Sequence, residues 1–238
     1  MEEMKNPTCS RCGAVWQKSG ATNCWSSGGD APPRPGNCPS DCDADIVEGS
    51  FRRYTDGSEE AKIALVAARV EGLCYRREPG SDAICARWTR VEDTIAFAKL
   101  MGFRTIGIAT CIGLLDESER LSAILRAQGF EAVSVCCKAG SLDKNQVGVQ
   151  EEEKVRPGTF EPACNPIAQA EVLNRRATDL NLIVGLCIGH DILFTRASQA
   201  PVSTLVVKDR VTGHDPVKVL YGQNFYYKRL QKQRLKVD

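Results

Sequence analysis

From residue 103 onward the chain alternates two hydrophobic periods. "FRTIGIAT" and "FEAVSV" are short β-branched runs, and between them "LLDESERLSAILRAQG" places its apolar residues at helical spacing until Gly129 stops it. That order predicts a βαβ unit, two parallel strands joined by a crossover helix. Beyond a polar loop, "NPIAQAEVLNRRA" opens with Asn165 as N-cap and Pro166 in the first turn, "LNLIVGL" is a strand, "HDILFTRAS" a short helix and "VSTLVVKD" a further strand. The expected fold is α/β, a mainly parallel open sheet with flanking helices.

Upstream the helical period dominates. In "SEEAKIALVAARVEGLCY" Ser58 is the cap, and Ala61, Ile63 or Ala64, Leu65, Ala68 and Val70 recur at helical spacing. "TRVE" announces a second helix by the capping-box pair Thr89 and Glu92, running to a stop at Gly102. Residues 6 to 44 are different: rich in Gly, Pro, Ser and Cys and nearly free of aliphatic side chains, they cannot close a hydrophobic core of their own. The chain is therefore divided into a small Cys-rich N-terminal metal module, 1–48, and an α/β domain, 49–238.

Composition adds one anomaly. The 238 residues carry 31 Lys and Arg against 30 Asp and Glu, so no global field favours nucleic acid or an anionic membrane. No apolar run approaches the length of a membrane span, which makes the cytoplasm the expected compartment. Twelve cysteines stand out against this ordinary background. In a reducing compartment, metal or redox chemistry explains such a number better than disulfides. Cys9 and Cys12, then Cys24, then Cys38 and Cys42 offer paired thiolates for one tetrahedral centre, and both a Cys₄ zinc site and a [4Fe-4S] cluster suit those spacings. Cys74 and Cys85 are read as structural.

The later cysteines fall at strand ends. Cys111 ends "TIGIAT", Cys136 and Cys137 end "FEAVSV", and Cys187 ends "LNLIVGL", on the edge where open parallel sheets bind ligands. Alternation sends Cys136 and Cys137 to opposite faces, with Cys137 assigned to the cleft, and Lys138 favours a thiolate beside it. Cys164 precedes a helix start and reaches the same edge. "Cys111-Ile112-Gly113" repeats as "Cys187-Ile188-Gly189", and the two are read as equivalent positions around one site. His190 and Asp191 follow the second copy as candidates for proton transfer, while His214 is read as a turn residue. No phosphate-loop or nucleophile-elbow motif is present, and the basic tail "YYKRLQKQRLKV" reads as a solvated terminal helix.

The segments "CSRC", "TIGIATCIGL", "CCKAG", "CNPIAQAEVLN", "GLCIGHD" and "LVVKDRVTGHDP" together resemble a family of bacterial and archaeal proteins labelled cysteine-rich and metal-binding, of unknown function. The resemblance implies metal binding without naming metal, substrate or reaction. An insertion between Cys74 and Trp88, holding Cys85, sets this chain apart from the simplest family pattern.

The expectation that follows is an iron-sulfur protein with two sites. Cys9, Cys12, Cys24, Cys38 and Cys42 hold the first, as a cluster or as zinc. Cys111, Cys137, Cys164 and Cys187 line the second, a [4Fe-4S] cluster serving electron transfer or, if one iron is left open, catalysis with His190 or Asp191 moving the proton. A redox partner protein or a small-molecule substrate goes with this reading, and no nucleic acid or membrane. The alternative is a zinc-binding storage, sensing or delivery protein.

Overall fold

Two N-terminal caps show how closely local chemistry sets the elements. Ser58 Oγ accepts the Ala61 N–H at 3.2 Å, and Thr89 and Glu92 form a reciprocal capping box. The computed structural model describes residues 6–11, 37–80 and 83–235. The chain falls into two compact units, 1–69 and 70–238.

In the first unit a short 3-10 turn covers Cys9–Arg11, and α1 (Pro39–Cys42) and α2 (Ala44–Arg53) precede α3 (Glu59–Cys74), whose last turn passes into the second unit. The buried positions of α3 are Ala61, Val66 and Val70, while Leu65 is 52% exposed. The helical spacing was right, but the buried stripe runs through Val66 rather than Leu65 and Ala68, because several small residues left its phase undetermined.

The second unit starts with a hairpin that the Gly/Pro-rich sequence concealed: β1 (Tyr75–Arg77) pairs antiparallel with β2 (Ile84–Ala86). Then come α4 (Arg90–Met101), β3 (Thr105–Thr110), α5 (Leu115–Ala127), β4 (Glu131–Cys136), α6 (Pro166–Arg175), β5 (Leu180–Val184), α7 (His190–Ala197) and β6 (Val202–Val206). α8 (Val217–Tyr221) and a 3-10 turn precede the basic tail, whose described residues form α9 (Arg229–Lys232), shorter than the expected terminal helix; Phe225 and Tyr226 are exposed. No described helix is long and apolar enough to cross a membrane.

The sheet is four-stranded and parallel, in the order β4-β3-β5-β6. Its central strands are nearly solvent-free: Ile106, Ile108, Leu182 and Val184 are buried, and α6 covers them with Ala170 and Leu173. One close approach depends on glycine. A Cβ on Gly107 would lie 2.0 Å from Asn181 Oδ1, an amide oxygen that accepts from Thr178 Oγ1 at 2.8 Å. The missing side chain on β3 is what admits a buried polar group from β5.

Candidate functional site

Thr110 is level with Cys136 on one side and Val184 on the other, so the carboxyl ends of β3, β4 and β5 finish together. The ladder then runs one residue further. Cys137 N–H donates to Thr110 O at 2.8 Å, and Cys111 N–H donates to Val184 O at 3.0 Å. Asn165 N–H donates to Cys137 O at 2.7 Å while its side chain caps α6. That one backbone bond brings Cys164 beside Cys137.

Cys137 acts on Cys164 as a hydrogen-bond donor, which raises its own thiol and lowers its partner's. Cys164 is pulled down to about 5, first by that donated hydrogen bond and then, against partial burial, by the charge and hydrogen bond of Lys138 and by His190. Lys138 Nζ stands 3.3 Å from Cys164 Sγ and is held by Pro162 O at 2.5 Å. Cys137, which gives the proton and is buried, is pushed well above the ordinary thiol range, although the Ile112 N–H at 3.4 Å acts the other way. The result is one thiol and one thiolate at neutral pH.

A residue that sequence reasoning passed over frames this pair. Gln169, fully buried on the first turns of α6, donates through Nε2 to Thr110 O at 3.1 Å and Val135 O at 2.7 Å, tying the ends of β3 and β4 to the helix. Its Oε1 has no partner among the described residues, nor has the buried Nδ1 of His190. A glutamine on the inward face of a predicted helix was the available signal, since a buried amide needs partners.

The excursion between Cys137 and Cys164 is also built rather than loose. Ala163 N–H donates to Leu142 O at 2.7 Å, and Asp143 and Pro162 form an isolated bridge. Lys154, 6% exposed, puts Nζ 3.0 Å from both Asp143 and Glu151. Burial alone would lower that ammonium, but the two carboxylates outweigh it and raise it.

The other expected site residues are placed as follows. Cys111 is buried and close enough for its charge to act on Cys137. The expected split of Cys136 to the core and Cys137 to the cleft is not what the structure has: Cys137 is the fully buried member of the core cluster, and Cys136 is half-buried against it. Cys187 lies apart from the pair's hydrogen bond, with Arg210 Nη2 donating to its sulfur at 3.0 Å. The two Cys-Ile-Gly turns are therefore not equivalent. Asp191 turns its carboxylate to the Ile192 N–H at 2.8 Å, whereas His190 acts electrostatically on Cys164. His214 Nδ1 accepts the Asp209 N–H at 3.1 Å, a structural role. In the first unit Cys9 and Cys42 are exposed and Cys38 half-buried; Cys12 and Cys24 lie outside the described residues. Among the described residues no group of three or more His, Cys, Asp or Glu converges closely enough to hold a metal ion. The adjoining sulfurs Cys137 and Cys164 fit two positions of a soft-metal centre; the four-thiolate set is not assembled.

The family model for "Protein of unknown function (DUF1847)" matches residues 38–205, the span that holds β3, β4, β5, all but the last residue of β6, and the thiol pair. The chain belongs to the DUF1847 family. It is also 45% identical, over 190 residues covering 80% of this chain and 90% of the relative, to an uncharacterized protein of Methanocaldococcus jannaschii. The DUF1847 match includes Cys111, Cys137, Cys164 and Cys187 and stops short of Cys9, Cys12 and Cys24 on one side and of Lys208 and Arg210 on the other.

Proposed function

We propose that the carboxyl edge of the sheet is a thiolate centre for a soft metal, an iron-sulfur cluster ahead of zinc, with Cys164 and Cys137 as its primary donors. The observation that carries this reading is Lys138 Nζ 3.3 Å from the sulfur of Cys164, a thiol pulled down by Cys137 and by that lysine. A thiolate already formed at neutral pH is the species metals bind, and neighbouring cations suit a thiolate-ligated centre of net negative charge. Cys111 and Cys187, which follow β3 and β5 on the same edge, are the cysteines that would complete a four-sulfur set. A bound cluster would supply one-electron chemistry there. The chain's own part is to hold the sulfurs in place through the Asn165 bond to Cys137 and to offer His190 as a proton carrier.

A second reading is favoured by the absence of a third converging donor among the described residues: a metal-free dithiol in which Cys164 is the nucleophile and Cys137 the resolving thiol. Anaerobic purification followed by iron, zinc and acid-labile sulfide analysis and a visible spectrum separates the two. The metal reading expects iron with sulfide, or zinc, and its loss in Cys164→Ser and Cys137→Ser but not in Cys85→Ser. Protein that is metal-free under those conditions, and that forms a Cys137–Cys164 disulfide on mild oxidation, overturns it in favour of the dithiol.

A further inference from the structure

Directly after β6 the chain makes a tight turn that carries two cations without a matching anion among the described residues. Asp209 stands between Lys208 and Arg210 in sequence, but its Oδ1 accepts the N–H groups of Val211 and Thr212 at 2.9 and 3.0 Å. His214 braces the same turn, accepting the Asp209 N–H and donating its own N–H to Asp209 O at 2.8 Å. The carboxylate is thereby committed to shaping the loop. Lys208, half-buried, has no acceptor or carboxylate partner among the described residues, and Arg210 is engaged only by the Cys187 sulfur.

The lysine lies against glycine. A Cβ on Gly113 would be 3.4 Å from Lys208 Nζ, and one on Gly185 would be 3.7 Å from its Cδ. Its ammonium therefore rests over the ends of β3 and β5, at the first Cys-Ile-Gly turn, while Arg210 reaches the second. An ammonium partly withdrawn from water without a counter-charge is unfavourable unless an anion joins it, and a guanidinium held by one contact keeps further N–H donors for a planar oxyanion. Independent of these charges, Gln169 Oε1 and His190 Nδ1 on the same edge are buried without partners among the described residues, and a hydroxyl on a ligand would satisfy either.

We infer that Lys208 and Arg210 form an anion subsite on this edge, taking the carboxylate or phosphate of a small organic molecule and placing it beside the cysteines. The inference rests on the reading of this edge as the functional one, but not on any metal.

The test is titration calorimetry of the full chain with inorganic phosphate and, separately, with malate, at fixed ionic strength. Binding of either probe is expected, weakened about tenfold or more in Lys208→Met and in Arg210→Gln, and largely retained in Lys208→Arg. The tighter probe names the class of anion. No binding of either probe at roughly 10 mM, or binding unchanged in both charge-removing variants, overturns the inference. Binding lost in Cys164→Ser but kept in Lys208→Met also overturns it, since the anion would then sit at Lys138. Circular dichroism of each variant separates a lost subsite from a lost fold. Metal content is read in parallel, so metal-free protein that still binds the anion through Lys208 discards the metal reading alone.

Discussion

The same tripeptide, Cys-Ile-Gly, occurs twice on one edge and meets two environments. The first copy follows β3 without a gap: Cys111 continues the ladder onto Val184 O and is 7% exposed. The second begins three residues past the end of β5, and the Cys187 carbonyl accepts the first two amides of α7, those of His190 and Asp191, at 3.0 and 3.1 Å. Because Thr110 is level with Val184, the residue across from Cys111 is Gly185 and not Cys187. Sequence identity sets the turn, but register against the neighbouring strand decides whether the sulfur meets the core or a cation.

Gly185 gives the strongest way to break this contrast. It has φ +69°, and a Cβ there would lie 2.0 Å from Leu114 Cδ1. Gly185→Ala is expected to cost about 3 kcal/mol in urea unfolding through backbone strain and overpacking. Gly113→Ala, meeting only the tip of Lys208, should stay within about 0.5 kcal/mol. Equal losses would mean that the Leu114 contact and the left-handed backbone at Gly185 carry no weight. Gln169→Leu comes next, at about 2 kcal/mol by the same measurement, because two buried carbonyls lose their donor.

Alkylation with iodoacetamide sharpens the chemical side. In metal-free protein Cys164 should label before Cys187, with a rate that rises as pH passes about 5 and is already level near neutrality. Lys138→Met removes the nearby cation, moves that rise to higher pH and slows labelling at pH 6 by about tenfold. First labelling at Cys187 would reverse the ranking of the two corners. Metal loading should protect Cys164.

The smallest effect is on the excursion between Cys137 and Cys164. Asp143 is held below its ordinary range by Lys154, Glu151 by the Gly158 N–H and then Lys154, and Glu161 by Lys144. Each is depressed on folding, so its stabilisation is present above pH of about 4 and lost as pH falls further. Hydrogen exchange should show residues 139–162 opening near pH 3 before β3 and β5 do. Simultaneous opening would show that the excursion is not an independent unit.

The parallel sheet was legible because each strand is a short β-branched run and each intervening helix carries its own cap and stop, as at Asn165 and Gly129. That cysteines collect on one edge followed from strand order alone. Their pairing did not: it depends on a backbone bond from Asn165 to Cys137, and on a 26-residue excursion folding back through Lys154, none of which has a periodic signature. The hairpin β1–β2 was hidden for a related reason, since all six of its residues are exposed and lack inside-outside alternation. Lys208 and Arg210 went unnoticed because only the geometry of the turn shows that Asp209 neutralises neither.

The opposite shifts of the two thiols also bear on the stoichiometry of the proposed metal uptake. Two ordinary thiols that close on a dication at neutral pH must give up two protons, so capture by such a pair weakens steeply as the medium becomes acidic. Here Cys164 is lowered and Cys137 raised, so an ion taken up by the proposed pair at neutral pH would expel chiefly the proton of Cys137. Calorimetry in buffers of different ionisation enthalpy would count a single proton released per ion taken up by the two sulfurs. The corner would then keep its grip over a wider span of acidity than a cysteine pair of unperturbed thiols.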